Sequence, residues 1–366
     1  MNKKYLTIVI IIIILIGLLT FLIKVNNKEY IMQDGVMLAL TLDGEKITSY
    51  PEGTNYGVEI TCENGKGKWL VDEWKLAVEE ITGNVICNIN FTSNPKTLIS
   101  EVEEVNVNNN YDSNGYRYSG NTPNNYIWFN NEMWRIIGSL PTVTPENPSE
   151  YVNLVKIIRN ETIGSLVYDA IPTSGYTTAS WGDGNTLYKL LNEYYYGALD
   201  GTETSYCYGN QNIAKVKCDY TSIGINPEGH YGKMVKNVYW RTQPINYSAV
   251  PSEIYTRESS RSALGYVGLM TASDYGYAAP SSYHTTYMDS YQTTYVRNWL
   301  SGQSVEWTII LYRGSSNASL TIDYVGRINN RKTYFGANVR PVVYLDSSVY
   351  IISGDGTEGN PYQIGM

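Results

Sequence analysis

Residues 126–137 read YIWFNNEMWRII, two apolar runs flanking Asn130-Asn131. Asn is one of the few residues that accepts the positive φ a two-residue hairpin turn demands, so a β-hairpin is expected, its second strand carrying Trp134-Arg135. Residues 154–159, LVKIIR, form another strand-like run, and strands joined by tight turns make an antiparallel sheet. Downstream, TLYKLLNEYYY at 186–196 sets Leu187, Leu190, Leu191 and Tyr194 on one helical face, with Asp183 in the N-cap region; that helix should pack on the sheet. Residues 307–311 and 318–325 alternate about Gly314, and NVRPVVYL followed by GDGTEGNPY reads as a terminal strand and a short hairpin. The expectation for 116–366 is an α+β domain: a twisted antiparallel sheet, one or two helices and long loops rich in Gly, Tyr, Ser and Thr.

Working outward, residues 94–115 are polar, Asn-rich and turn-forming, and are read as a linker. Before it, 29–93 looks like a small β-sandwich-like module. MLALTLDGEKI (37–47) is a hairpin about Asp43-Gly44, YGVEIT (56–61) alternates into Cys62, 69–81 reads as one crossing strand with Trp74, Leu76 and Val78 on one face, and VICNINF (85–91) follows Gly83-Asn84. So small a core needs a staple. Residues 5–23, YLTIVIIIIILIGLLTFLI, carry no charge, and 19 residues at 1.5 Å each span roughly 28 Å, about one bilayer core. Lys3 and Lys4 precede them, Lys24 follows, and no small-x-small cleavage signature intervenes, so 1–28 is read as a cytoplasmic tip and uncleaved transmembrane anchor, with the rest outside the cell.

Composition bounds the function. Four of 27 Lys and Arg and none of 35 Asp and Glu fall in residues 1–28, so the remainder carries 23 against 35, a net −12; a nucleic-acid binder needs the opposite sign. Two His and four Cys are too few for an ordinary zinc or haem centre, and no cofactor is expected. Calcium is the one ion weighed, at Asp112, Asn114 and Gly115, where the later Gly and terminal Glu of a calcium loop are missing. The four Cys allow three pairings. Cys62–Cys87 and Cys207–Cys218 are preferred because each pair falls inside one proposed domain, and an extracellular compartment would let them couple.

Trp134-Arg135, Leu190-Leu191-Asn192, Gly268-Leu269-Met270 leading to Ser273-Asp274-Tyr275-Gly276-Tyr277-Ala278, Trp307-Thr308 and Val339-Arg340-Pro341-Val342 occur in the order found in an uncharacterised family of membrane-anchored bacterial surface proteins, which 116–366 resembles. The region of Cys62, Trp69, Trp74 and Cys87 is similar to the amino-terminal module that accompanies it. That family in turn resembles the formylglycine-generating-enzyme branch of C-type-lectin-like folds, which implies a lectin-like domain whose loops project from a sheet. The enzymes of that branch hold copper at a paired cysteine site. Here Cys207 and Cys218, in YCYGNQNIAKVKCDY, read as a loop staple instead, and His230 and His284 lack a nucleophile-elbow context, so no catalytic residue is assigned.

Binding is the expected function. Tyr is the commonest aromatic, 35 residues against four Phe, and Tyr283, Tyr287, Tyr291, Tyr295 and Trp299 recur every four positions. Stiff amphipathic rings suit recognition of sugars and extended peptides. Trp240, Tyr275, Tyr277, Tyr283 and Tyr287 are the stacking candidates and Asp274 and Asp289 the polar contacts, for a surface glycan or peptide. Arg135 and Arg340, on strands, belong to the scaffold. Two alternatives stay open. A glycan hydrolase would use a pair among Asp274, Asp289, Glu306 and Asp323, although Asp274 reads equally as a cap. A structural subunit would pack such acidic, Tyr-rich domains on one another.

Overall fold

The computed structural model describes residues 31–366 apart from 54, 72, 110–113, 171–180, 183, 211–215, 260, 293–295 and 303. The anchor at 5–23, Asp112, Asp183 and Tyr295 thus lie outside the described residues. Among the described residues no helix is long and apolar enough to cross a membrane. The chain divides into two units, 1–95 and 96–366.

The smaller unit holds β1 (Ile31–Gln33), β2 (Val36–Leu42), β3 (Glu45–Ile47), β4 (Gly57–Glu63), β5 (Lys66–Leu70), β6 (Lys75–Glu79) and β7 (Ile86–Thr92). One sheet runs β1-β2-β7-β4, with β3 on β2. The Asp43-Gly44 hairpin forms as expected, Leu42 facing Glu45 and both turn residues at positive φ. The single strand expected over 69–81 does not form. The chain reverses between β5 and β6, where Trp74 takes φ 47°, and the Trp74 indole donates to the Pro51 carbonyl at 2.9 Å. Trp69 is buried edge-on to Tyr50, Trp74 and Phe91. Cys62 and Cys87 are directly opposed on β4 and β7 and are bridged. A Cβ at Gly67 would stand 2.7 Å from the Cys62 sulfur, so only glycine lets the β5–β6 hairpin lie against that bridge.

The larger unit begins inside the expected linker. Residues 98–105 form α1 (Leu98–Val105), N-capped by Thr97, and bury Leu98 and Val102. The segment has few apolar residues, but two of them sit four apart on one face, which is enough to dock a short helix. Its strands are β8 (Tyr116–Arg117), β9 (Tyr126–Phe129), β10 (Glu132–Thr144), β11 (Asn147–Arg159), β12 (Ser165–Val167), β13 (Val235–Lys236), β14 (Val238–Arg241), β15 (Arg261–Gly265), β16 (Val267–Gly268), β17 (Glu306–Leu311), β18 (Ala318–Ile322), β19 (Ile328–Lys332), β20 (Gly336–Asn338), β21 (Val342–Leu345), β22 (Tyr350–Ser353) and β23 (Gln363–Gly365). The principal sheet is curled, wholly antiparallel and ordered β13-β21-β11-β10-β14-β15, with β8 and β9 on β10 and β16 on β21. A second sheet runs β12-β20-β17-β18-β19. The Asn130-Asn131 hairpin is present, Phe129 facing Glu132, with both Asn at positive φ.

Helices are few and short: α2 (Thr186–Lys189), α3 (His230–Lys233), α4 (Pro251–Arg257) and α5 (Ala272–Ala278). Asn185 caps α2 by accepting from the Tyr188 amide, and the helix continues as a π turn, Leu190–Tyr194. Asn192 in that turn uses its whole amide. Its oxygen accepts from the Tyr266 and Val267 N–H groups and its nitrogen donates to the Tyr188 and Val267 carbonyls, which clamps the helix to the β15–β16 turn. Cys207–Cys218 is bridged, so both disulfides pair as the sequence suggests. The chain is thus a mixed α+β protein, mostly sheet.

Candidate functional site

A cavity of about 480 Å³ opens where the β10–β11 hairpin meets β14 and α4. Pro141 and Tyr151 come from the hairpin, Arg241 from the end of β14, and Tyr255 and Thr256 from α4, while Asn114 and Ser259 close it. The long β10–β11 pair fixes one wall through its register, Pro141 against Asn153. Pro251 at the first turn of α4 fixes the other, since its ring presets helical φ and it has no N–H to leave unpaired. Tyr151 is 64% exposed. The Arg241 guanidinium lies 3.7 Å from the centre of the Tyr255 ring and donates to the Tyr255 carbonyl. Its Nε is buried and has no hydrogen-bond partner among the described residues.

Beside this cavity, behind Asn114 and Tyr255, lies a buried charge cluster. Asn114 donates to the Tyr277 hydroxyl at 2.7 Å, and the Arg117 guanidinium stands over both the Tyr277 and Tyr255 rings. Arg117 and Lys156 converge on Asp274, at 2.9 and 2.5 Å. Asp274 also closes a capping box at the start of α5, its carboxylate accepting from the Thr271 N–H. Burial pushes the Asp274 carboxyl up, but Lys156 and Arg117 outweigh it and hold the group well below the usual carboxylate range. Glu258, fully buried, accepts from the Ser273 N–H and hydroxyl; desolvation lifts its carboxyl above the ordinary value, partly offset by Arg241.

The sequence candidates fall into two groups. Trp240, Asp274, Tyr275 and Tyr277 are all buried and none of them lines the cavity. Residues 265–277, expected among the long Gly- and Tyr-rich stretches, instead span the end of β15, β16 and α5, and packing explains the motif. Trp240 donates to the Gly265 carbonyl, and a Cβ on Gly268 would lie 2.7 Å from its ring. Tyr275 spends its hydroxyl on the Gly326 carbonyl, as Tyr168 does on Ile309 and Tyr291 on Tyr283, so tyrosine fills a core in a chain nearly without Phe. The second group is at the surface: Tyr283 and Asp289 are half-buried and Tyr287 is 53% exposed, but none of them lines the cavity. Arg135 and Arg340 are scaffold, as expected. Arg135 bonds Asn125 and stacks on Tyr126, and Arg340 grips Glu306 with two bonds.

Three of the four carboxylates weighed for hydrolysis are committed, Asp274 to its two cations, Glu306 to Arg340, and Asp323 to Arg327 and the turn amides of Val325 and Arg327, while Asp289 stands half-buried at the surface. Among the described residues no group of three or more His, Cys, Asp or Glu is placed to hold a metal ion. Sequence reasoning missed Tyr151, Arg241 and Tyr255, and it missed Arg117 and Lys156. Lys156 did leave a signal, a single cation inside the apolar run LVKIIR. Compared with family models, curated proteins and solved structures, the chain matches none. Fold and site together define a two-unit, disulfide-bridged α+β protein with an aromatic-walled cavity over a buried ion cluster.

Proposed function

We propose that the chain is a membrane-anchored extracellular binding protein, held by residues 5–23, whose larger unit is lectin-like and recognises a surface glycan or peptide. The cavity at Tyr151 and Tyr255 carries this reading. Its volume, about 480 Å³, is that of a small-ligand site, and it combines aromatic and Pro faces with a few polar groups, Asn114, Arg241, Thr256 and Ser259, that can fix an orientation. A sugar ring or a peptide side chain fits that chemistry. The coarse layout, a curled antiparallel sheet with few helices and irregular connections, is what a lectin-like domain requires. Two disulfides accord with an oxidising compartment. Binding is favoured over hydrolysis because, among the described residues, no carboxylate lines the cavity.

A glycan and peptide array probed with the full-length chain tests the reading. Tyr151→Ala and Tyr255→Ala should each weaken the strongest signal about tenfold, the loss of one aromatic contact of about 1.4 kcal/mol. An array signal untouched by either substitution would remove the cavity from consideration. Recovery of the chain in the alkali-resistant membrane fraction tests the anchor, and recovery in the soluble fraction would overturn it.

A further inference from the structure

Next along α4 a second cavity of about 450 Å³ is lined by Gln243, Asn246, Ser248, Arg257 and Arg313, together with Pro244 and Ile245. Among the described residues no carboxylate lines it, in a chain of net charge −8. Its geometry is fixed by backbone. Ile245 N–H donates to the Leu311 carbonyl and Arg313 N–H to the Ile245 carbonyl, so the 243–248 loop is zipped to the end of β17 and Arg313 is carried to the cavity wall. Tyr247 and Tyr312 pack ring against ring behind it, 5.5 Å between centroids. Arg257 is oriented by the Asn246 carbonyl at 3.2 Å and by Glu253 at 2.9 Å, a pair half in solvent that is readily exchanged. The Arg313 side chain is exposed and, among the described residues, makes no hydrogen bond or ion pair.

Behind the cavity, Asn330 of the edge strand β19 donates to the Tyr247 hydroxyl. A guanidinium offers two parallel N–H donors matched to a carboxylate or phosphate, and side-chain amides and a hydroxyl can complete the shell.

We infer that this second cavity is an anion subsite that takes the carboxylate or phosphate group of an acidic surface polymer, with Arg313 as the principal contact and Arg257 as the second. It stands on different side chains from the Tyr151 cavity and goes beyond the reading given to that one.

The test is titration calorimetry on the full-length chain with three probes: a galacturonate oligomer, a glycerol-phosphate oligomer and a neutral dextran oligomer. At least one acidic probe should bind, more weakly as salt rises, and the dextran should not. Which acidic probe binds separates the carboxylate source from the phosphate source. Arg313→Ala should lose about tenfold in affinity, as expected for one hydrogen-bonded charge pair, and Arg313→Lys less. The Arg313 side chain is exposed, so its variants should fold as the parent does, and Lys217→Ala, at an exposed cation outside both cavities, should leave the acidic probe's affinity unchanged. Failure of both acidic probes, equal affinity for dextran, an unchanged Arg313→Ala titration, or an equal loss in Lys217→Ala would each overturn the assignment.

Discussion

Asp274 has its carboxylate closed in by Lys156, Arg117 and the Thr271 amide, so removing its charge strands two buried cations. Breaking such a pair from one side typically costs about 3–5 kcal/mol, because the remaining ions keep their desolvation penalty. Asp274→Asn should therefore lower the larger unit's stability by about that amount in urea unfolding. An unchanged midpoint would mean the cluster is hydrated. Acid should act on the same group. Asp274 titrates well below its ordinary value, so the folded chain holds this proton more weakly than the unfolded chain does. Its contribution is complete above about pH 4, the unfolded value, and is lost as pH falls further. Glu258 has the opposite sign: burial raises it, and its cost above the ordinary carboxylate range fades in acid. Stability measured from pH 7 to strong acid should fall below about pH 4 in the parent and more shallowly in Asp274→Asn. This chemistry was only half legible. Thr271-x-x-Asp274 announces a cap locally, but Arg117 and Lys156 stand 157 and 118 positions upstream, and no local pattern reports contacts that distant.

Secondary elements were legible where a turn had chemistry of its own. Asp43-Gly44 and Asn130-Asn131 supply positive φ and so fix the register of the strands on either side. Asn131 is exposed and holds φ 61°, so Asn131→Gly should leave stability within about 0.5 kcal/mol, whereas Asn131→Val should cost about 1–2 kcal/mol for a β-branched residue forced into the left-handed region. Equal stability of the two variants in thermal unfolding would show that the turn relaxes. Spacing by itself said less. Tyr283, Tyr287 and Tyr291 are four apart without sharing a face: Tyr283 ends one 3-10 turn, while Tyr287 and Tyr291 are the extended residues flanking another, so Tyr287 is exposed and Tyr291 buried. The helix Ala272–Ala278 was hidden because Gly276 and the Tyr pair have weak helix propensity. There packing decides: a Cβ on Gly276 would lie 2.7 Å from the Met288 sulfur, so the helix is ordered by its close neighbours rather than by its own sequence.

The whole molecule divides its burial unevenly between a first unit with a few apolar side chains around Trp69 and Phe91 and a second with a large continuous core. Each carries one disulfide, closing 25 positions in the first and 11 in the second. By loop-closure entropy the two bridges stabilise by about 3.5 and about 3 kcal/mol, nearly equal amounts. Equal free energies do not give equal melting shifts, because the shift is the free energy divided by an unfolding entropy that grows with chain length. The first unit has about a quarter as many described residues as the second, so its transition should move several-fold further when both bridges are lost. Calorimetry of the chain with and without reductant should show two transitions, the minor one falling by tens of degrees or vanishing and the major one by only a few. To separate the bridges, Cys207→Ser with Cys218→Ser should reproduce the small shift alone, and Cys62→Ser with Cys87→Ser the large one. A single cooperative transition, or equal shifts from the two double substitutions, would show that the first unit does not unfold independently of the second.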